Sequence, residues 1–356
     1  MSDHPSHRTH LRRYLAGGYA LFIVYASLAP FTGWQEQGVS LLEVMTAPLA
    51  QTFTWFDFVI NLLAYLPFGF LLQMLLRPHL PPRSGLVLAL LLGCGMSLLM
   101  EYAQLYLPSR VSSNSDLLSN SMGVLLGALL ALRVEAQAWF ARLRRWYDGR
   151  FRRGGSSDFG AALLAMWVFV QLNPSLPMLG SVFISQMAPT PFEAAQAQPF
   201  NWLEALAVAL NLLMPGVLLL ILLRQPRHAL NLLVLALALV TLAKFVIAAV
   251  LLKSWALLLW VNSESMLGVL AGLILLAVAR YLRPGWLLGM AMLAVLAYIA
   301  LAHWVMDSNM PAGTLRLFHW HYGHMLHYNG LSQLLALLFP LLLLGYLVWV
   351  MRQKRR

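Results

Sequence analysis

Apolar runs of about 20 residues recur along almost the whole chain, and this repetition limits its fold more than any other feature. A run of that length crosses the hydrocarbon of a bilayer as one helix. Inside lipid the backbone must satisfy its own polar groups, so recurring runs mean α-helices packed against one another. Composition points the same way: 60% of the 356 residues are hydrophobic and 10% are charged, whereas soluble domains carry roughly a quarter charged residues. A water-soluble enzyme and a single-span anchor are both excluded.

Ten apolar segments can be marked, at 14–31, 57–76, 85–107, 115–132, 159–173, 203–223, 229–252, 256–279, 285–304 and 330–351. The expected fold class is therefore all-α, a polytopic membrane helix bundle of about ten transmembrane helices. Of the 24 lysines and arginines, 20 fall before the first segment, in alternate connections or at the C-terminus. By the positive-inside rule that side is cytoplasmic, which places both termini in the cytoplasm and the chain in the cell (inner) membrane. The formal charge of +11 is then a matter of topology, and nucleic acid is not an expected partner. The opposite connections carry Trp34, Glu36, Glu43 and Glu193 instead. The single cysteine, Cys94, allows no internal disulfide.

A shift of 148 residues brings several features into register. Ser27-Leu28 falls on Ser175-Leu176, Pro67 on Pro215, Pro78 on Pro226, and Asn114-Ser115-Asp116 on Asn262-Ser263-Glu264. The reading is two four-helix units in the same orientation, a parallel repeat about an axis along the membrane normal. The expected organisation is a four-helix unit at 1–132, an Arg-rich cytoplasmic linker at 133–158 and a degenerate second four-helix unit at 159–279. A C-terminal helix pair at 280–356 follows. In the second unit Glu101 and Arg110 correspond to Ala249 and Leu258, while Lys244 and Lys253 are new.

Polar groups within apolar segments are costly, so each needs a reason. Asp57 and Asn61 share one face of segment 2, and Glu101 and Gln104 share one face of segment 3. Arg110 lies in the short loop that follows. Asp116, Asn120, Gly123 and Gly127 form one stripe of segment 4. All these groups reach the same level, the outer leaflet. The pairs Gly123/Gly127, Gly268/Gly272 and Gly285/Gly289 would let neighbouring helices approach closely. Pro67 and Gly69 would allow a bend below Asn61.

The pattern Asn61-x5-Pro67-x-Gly69, then Glu101-x-x-Gln104-x5-Arg110-x5-Asp116-x3-Asn120-x-x-Gly123-x3-Gly127, resembles that of the VanZ-like family of membrane proteins. The resemblance covers roughly residues 20–132. The family is named for a member associated with low-level resistance to teicoplanin, which implies a cell-envelope context, and by extension antibiotic resistance, rather than a reaction. Where the family has a second acidic residue beside Asp116, this chain has Ser115.

Asp57, Glu101 and Asp116 set three carboxylates against one Arg110, so a carboxyl must stay protonated or a cation must compensate it. Three readings are open: an Arg110 ion pair that pins the hairpin of segments 3 and 4, a ligand site with Arg110 holding a phosphate or carboxylate, and acid/base chemistry. In the second unit, Lys244 and Glu264 are either an intramembrane functional pair, or Lys244 snorkels along its stem toward a polar gap between the repeats. The loop before segment 10 holds His319, His321, His324 and His327, with His303 and Asp307 upstream. That spacing suits an aromatic interfacial belt better than a metal site.

Taken together, the sequence resembles that of a VanZ-like protein, and the expectation is an inner-membrane protein of the cell envelope. The expected work is binding or handling an envelope lipid or a lipid-linked glycan precursor. The site is Arg110, Asp116, Asn120, Glu101, Gln104, Asn61 and Asp57, and membrane lipids are the partners. A membrane enzyme modifying an envelope lipid or glycan, and a secondary transporter with Lys244 and Glu264 on its pathway, are the alternatives. Neither catalysis nor a cofactor can be read from the sequence.

Overall fold

The structure is a computed structural model and describes residues 9–48, 55–180, 200–302, 318 and 323–355; of 323–328 only the backbone is described. Among the described residues there are twelve α-helices and no strand. They are α1 (Thr9–Leu28), α2 (Leu41–Thr46), α3 (Trp55–Leu76), α4 (Pro82–Gln104), α5 (Asn114–Glu135) and α6 (Ala138–Arg150), then α7 (Gly155–Gln171), α8 (Trp202–Leu222), α9 (Ala229–Leu251), α10 (Ser263–Ala279), α11 (Pro284–Ala300) and α12 (Gly323–Arg355). Among the described residues, six helical stretches are long and apolar enough to cross a membrane: Trp55–Leu76, Pro82–Gln104, Asn114–Glu135, Trp202–Leu222, Pro226–Leu251 and Asn329–Gln353. Ser263–Ala279 and Pro284–Ala300 are apolar but shorter. The chain is a multi-pass, all-helical membrane protein.

Local sequence sets the helix starts. Ser113 caps α5 by accepting from the Ser115 N–H, Asn201 caps α8 through the Leu203 and Glu204 N–H groups, and Asn262 caps α10 through the Ser265 N–H. Pro82 and Pro284 occupy the first turns of α4 and α11, where a missing N–H costs nothing. Pro67, Pro215 and Pro340 are carried inside α3, α8 and α12.

The chain folds as two compact units, one of residues 1–149 with 153–158 and one of 150–152 with 159–356. In the first, the most extensive contact is between α3 and α5. Small residues cause it. A Cβ on Gly123 would fall on the Leu62 carbonyl, one on Gly127 on the Leu66 carbonyl, and one on Gly69 on the Val124 carbonyl. Backbone therefore touches backbone, the form of helix association that needs no water-driven burial. Gly69 thus serves close approach. Tyr65, Phe68 and Leu72 of α3 pack with Val124 and Ala128 of α5, Ala89 and Met100 of α4, and Ile23 of α1. The outer faces stay apolar and exposed, as Leu91 at 64% illustrates.

In the second unit α8 is the central helix, buried along most of its length, with α9, α10 and α11 around it and α12 against α11. Gly268 and Gly272 meet the Ala205 and Ala209 carbonyls of α8. Gly285 and Gly289 meet nothing within 4 Å, so that pair mediates no close approach. Residues 150–152 are tied to the end of α8 by Arg152 N–H donating to the Leu222 carbonyl (2.8 Å) and Arg224 N–H donating to that of Arg150 (2.8 Å).

Two further observations bear on organisation. The segment expected as a linker holds α6, whose helical spacing of aromatic and basic residues had no apolar run to mark it. Among the described residues, the non-glycine positions with positive φ are Phe31 (62°) and Leu179 (64°), 148 residues apart.

Candidate functional site

The two ends of the first unit differ in chemistry. At one end Arg12 donates to the Met74 carbonyl (2.6 Å) and lies near Glu135 and Arg144. There Arg77 also pairs with Glu135 at 3.0 Å. The start of α1 and the ends of α3 and α5 therefore meet on a basic face. At the opposite end, the end of α1, the end of α4 and the start of α5 converge. The loop after α1 joins them through Gln35 N–H to the Tyr106 carbonyl (2.9 Å) and Gln37 Nε2 to the Leu105 carbonyl (2.9 Å). Asn114 Nδ2 donates to the Ala47 carbonyl at 2.7 Å, bringing the end of α2 to the same place.

This end holds most of the residues singled out in the sequence. Glu101, 2% exposed, accepts from the Ser112 hydroxyl (3.0 Å) and the Ser113 N–H (2.8 Å). Its carboxylate thereby anchors the residue that caps α5. Ser113 Oγ and Ser115 Oγ are 2.7 Å apart. Asp116 follows in the first turn of α5, where a negative charge meets the positive end of the helix dipole. Its charge reaches both Glu101 and Tyr65.

Arg110 is half-buried and forms no ion pair with Glu101. Its Nη2 donates to the carbonyls of Ala26 (2.8 Å) and Ala29 (3.0 Å), which are terminal carbonyls of α1 that have no helical N–H to accept. Its Nε is buried without a partner. Burial draws the guanidinium below its ordinary pKa, yet an arginine stays protonated in a protein. Gln104 Nε2 donates to the Ser27 carbonyl at 3.0 Å, and its Oε1 is buried without a partner. Asn120 Nδ2 donates to Ser97 Oγ at 2.9 Å, and its Oδ1 has none.

The structure adds a residue that the sequence reading passed over. Tyr65 is buried, its hydroxyl makes no well-formed hydrogen bond, and it neighbours Ser97, Ser27, Glu101 and Asp116. Because Tyr occurs freely in apolar helices, only its place on the face of Asn61, one turn further along α3, could have pointed to it. Asn61 and Asp57 are half-buried on α3. Ser97, Ser112 and Ser113 were also missed, because a serine in a helix or loop carries no signal until its partner is known. Of the nine buried side-chain polar atoms without a partner among the described residues, Tyr65 Oη, Gln104 Oε1, Arg110 Nε and Asn120 Oδ1 belong to this one network. Buried polar atoms are paired as a rule, so this concentration of unpaired ones sets the layer apart from the rest of the unit.

The second unit is wired differently. Lys244, 1% exposed, donates to the Pro177 carbonyl at 3.3 Å and lies 5.8 Å from the centroid of the Trp260 ring. Glu264 accepts from the Asn201 N–H (3.3 Å) and the Ser263 hydroxyl (2.9 Å), so Lys244 and Glu264 are not an ion pair. Sequence reading missed Glu204, fully buried in the first turn of α8, and Asn211, which accepts from Trp167 Nε1 (3.0 Å) and donates to the Leu179 carbonyl (2.8 Å). His303, Asp307, His319 and His321, and the side chains of His324 and His327, lie outside the described residues. Among the described residues no group of three or more His, Cys, Asp or Glu could hold a metal.

Residues 5–135 match the family model described as VanZ/LLP1. The match contains α1 to α5 and every residue of the polar network just described. No curated protein and no solved structure is detectably similar to the chain.

Proposed function

We propose that the VanZ-like unit at residues 5–135 binds the anionic headgroup of an envelope lipid or a lipid-linked glycan precursor in its polar layer, on the outer side of the cell (inner) membrane. The observation that carries this reading is the set of four partnerless buried atoms around Arg110, Gln104, Asn120 and Tyr65. Arg110 is the anion's partner: two carbonyls fix its guanidinium, and its planar fork suits phosphate or carboxylate oxygens. Asn120, Gln104 and Tyr65 would orient sugar or headgroup hydroxyls, and Asn61 lies one turn above Tyr65 on the same face. Glu101 and Asp116 hold the start of α5, and with it Asn120, in place.

The orientation follows from charge. The opposite end of the unit, with Arg12, Arg77 and Arg144, takes the cytoplasmic side by the positive-inside rule. Ten spans with both termini cytoplasmic complete this topology, α1, α7, α10 and α11 being the four that are shorter or more polar than the rest.

The parallel repeat is part of the same proposal. Shifted by 148 residues, the starts of α1, α3, α4, α5 and α6 fall within two residues of those of α7, α8, α9, α10 and α11. Phe31 and Leu179 share their left-handed backbone at the same spacing. Ala29 and Pro177, again 148 apart, each offer a carbonyl to a cation, Arg110 in one unit and Lys244 in the other. On this reading the second unit kept a cation but drew it from within a helix, where the first unit uses a loop, and buried it; the ligand site stayed with the first unit.

Native mass spectrometry of the full chain in mild detergent tests the site, comparing wild type, Arg110→Ala and Arg110→Lys at equal thermal stability. A phosphorylated lipid or glycolipid retained by wild type and lost from Arg110→Ala supports the reading, with Arg110→Lys between them because an ammonium lacks the fork. Identical bulk lipid on all three proteins would overturn it and leave the network as a structural lock.

A further inference from the structure

α6 follows α5 after only Ala136 and Gln137, so it begins where a spanning helix leaves the bilayer. None of its residues is buried, and its sequence sets four arginines against one aspartate. At 100° per residue, Trp139, Phe140, Leu143, Trp146 and Tyr147 fall within one arc of about 120°. Arg142 and Arg144 border this arc on its two sides and Arg145 lies on the far face. Trp139 and Leu143 are each 50% exposed. The helix does not extend away from the unit, because Arg144 comes near Arg12, whose guanidinium is bonded to the end of α3. This turn of α6 therefore stays at the basic end of the unit.

We propose that α6 is an interfacial helix that inserts its Trp139/Leu143/Trp146 face into the cytoplasmic leaflet and uses Arg142 and Arg144, on the two borders of that face, to bind anionic phospholipid there. A tryptophan ring suits this boundary because its body is apolar and its N–H is polar. Arginines beside the stripe reach headgroup phosphates while their stems cover acyl chain. The chemistry is that of a lipid surface rather than of one soluble anion: the apolar arc needs hydrocarbon and the flanking cations need many negative charges. In the second unit the helix at the corresponding place, α11, is uniformly apolar, so the amphipathic pattern belongs to α6 and is no general property of the helices that follow the glycine-paired span.

The test uses the full chain in nanodiscs, with Cys94→Ser and Leu143→Cys carrying an environment-sensitive fluorophore at position 143. One disc preparation has zwitterionic lipid only and the other contains about a third anionic phospholipid. The expected result is a blue-shifted label, quenched by lipid nitroxides near the headgroup and shielded from iodide, with deeper quenching in the anionic disc. Each arginine near the surface is worth roughly five-fold in partitioning onto anionic lipid. Arg142→Gln with Arg144→Gln should therefore lower the anionic preference by more than ten-fold or abolish it, and added salt should do the same. A label open to iodide in both discs, or one buried equally in both and indifferent to the arginines, would overturn the proposal. Thermal stability measured on the same samples separates these outcomes from loss of fold, and the lipid retained at Arg110 is unaffected by either.

Discussion

Gly127→Ala probes the contact on which the first unit rests. A Cβ at position 127 would overlap the Leu66 carbonyl oxygen and lie 2.9 Å from the Phe70 nitrogen. Carbon sits comfortably about 3.5 Å or more from such atoms. The neighbours are backbone, so no rotamer change relieves the overlap and α3 and α5 must separate. Overpacking of this kind costs about 1–3 kcal/mol, toward the upper end when backbone must move. Alanine returns roughly 1 kcal/mol through its better helix propensity. The net loss is about 1–2 kcal/mol, which for a unit of this size lowers the melting temperature by roughly 3–8 °C. Gly95 on the exposed face of α4 and Gly289 on α11 meet nothing within 4 Å, so Gly95→Ala and Gly289→Ala should be neutral or slightly stabilising. Thermal unfolding of the purified variants in one detergent makes the comparison. If Gly127→Ala melts with the two controls, close backbone packing is not what joins α3 to α5. The same variant should weaken headgroup retention, because Asn120 stands two turns along α5 from the displaced position.

Two further outcomes follow from the hydrogen bonds. Glu101→Leu leaves the Ser113 N–H and the Ser112 hydroxyl without an acceptor and should cost about 1–3 kcal/mol, whereas Glu101→Gln keeps an acceptor oxygen and should restore most of it; equal unfolding temperatures for the two variants would contradict this. In α2 the Ser40 N–H bond to Glu43, with the Ser40 hydroxyl, holds the Glu43 carboxyl below its ordinary pKa. A depressed carboxyl stabilises its fold above the ordinary carboxylate value and loses that contribution as pH falls through the lowered one. Hydrogen exchange across Leu41–Thr46, corrected for intrinsic rates, should show protection falling in that acidic window; Ser40→Ala, which keeps the backbone N–H, should weaken the pH dependence, and Glu43→Gln should remove it.

Much of this architecture could be read before any coordinates existed. Lipid tolerates only self-satisfied backbone, so an apolar run of sufficient length is already a helix, and each of the ten marked segments has a helix on it. The spacing of Asn61, Glu101, Gln104, Arg110, Asp116 and Asn120 carried the family likeness, because a polar residue in a membrane helix is costly and therefore informative. Partners are another matter. One arginine among three carboxylates suggests an ion pair in sequence, yet Arg110 is held by the terminal carbonyls of α1, which no one-dimensional pattern advertises. Lys244 and Glu264 look like a pair for the same reason and are bonded elsewhere. The three glycine pairs are identical as strings, but two face a carbonyl ladder and the third faces nothing within reach. Hydropathy depends on residue type and can be summed along the chain; which donor meets which acceptor depends on the register of packed helices. That register is decided only when backbones 50 or more residues apart come into contact.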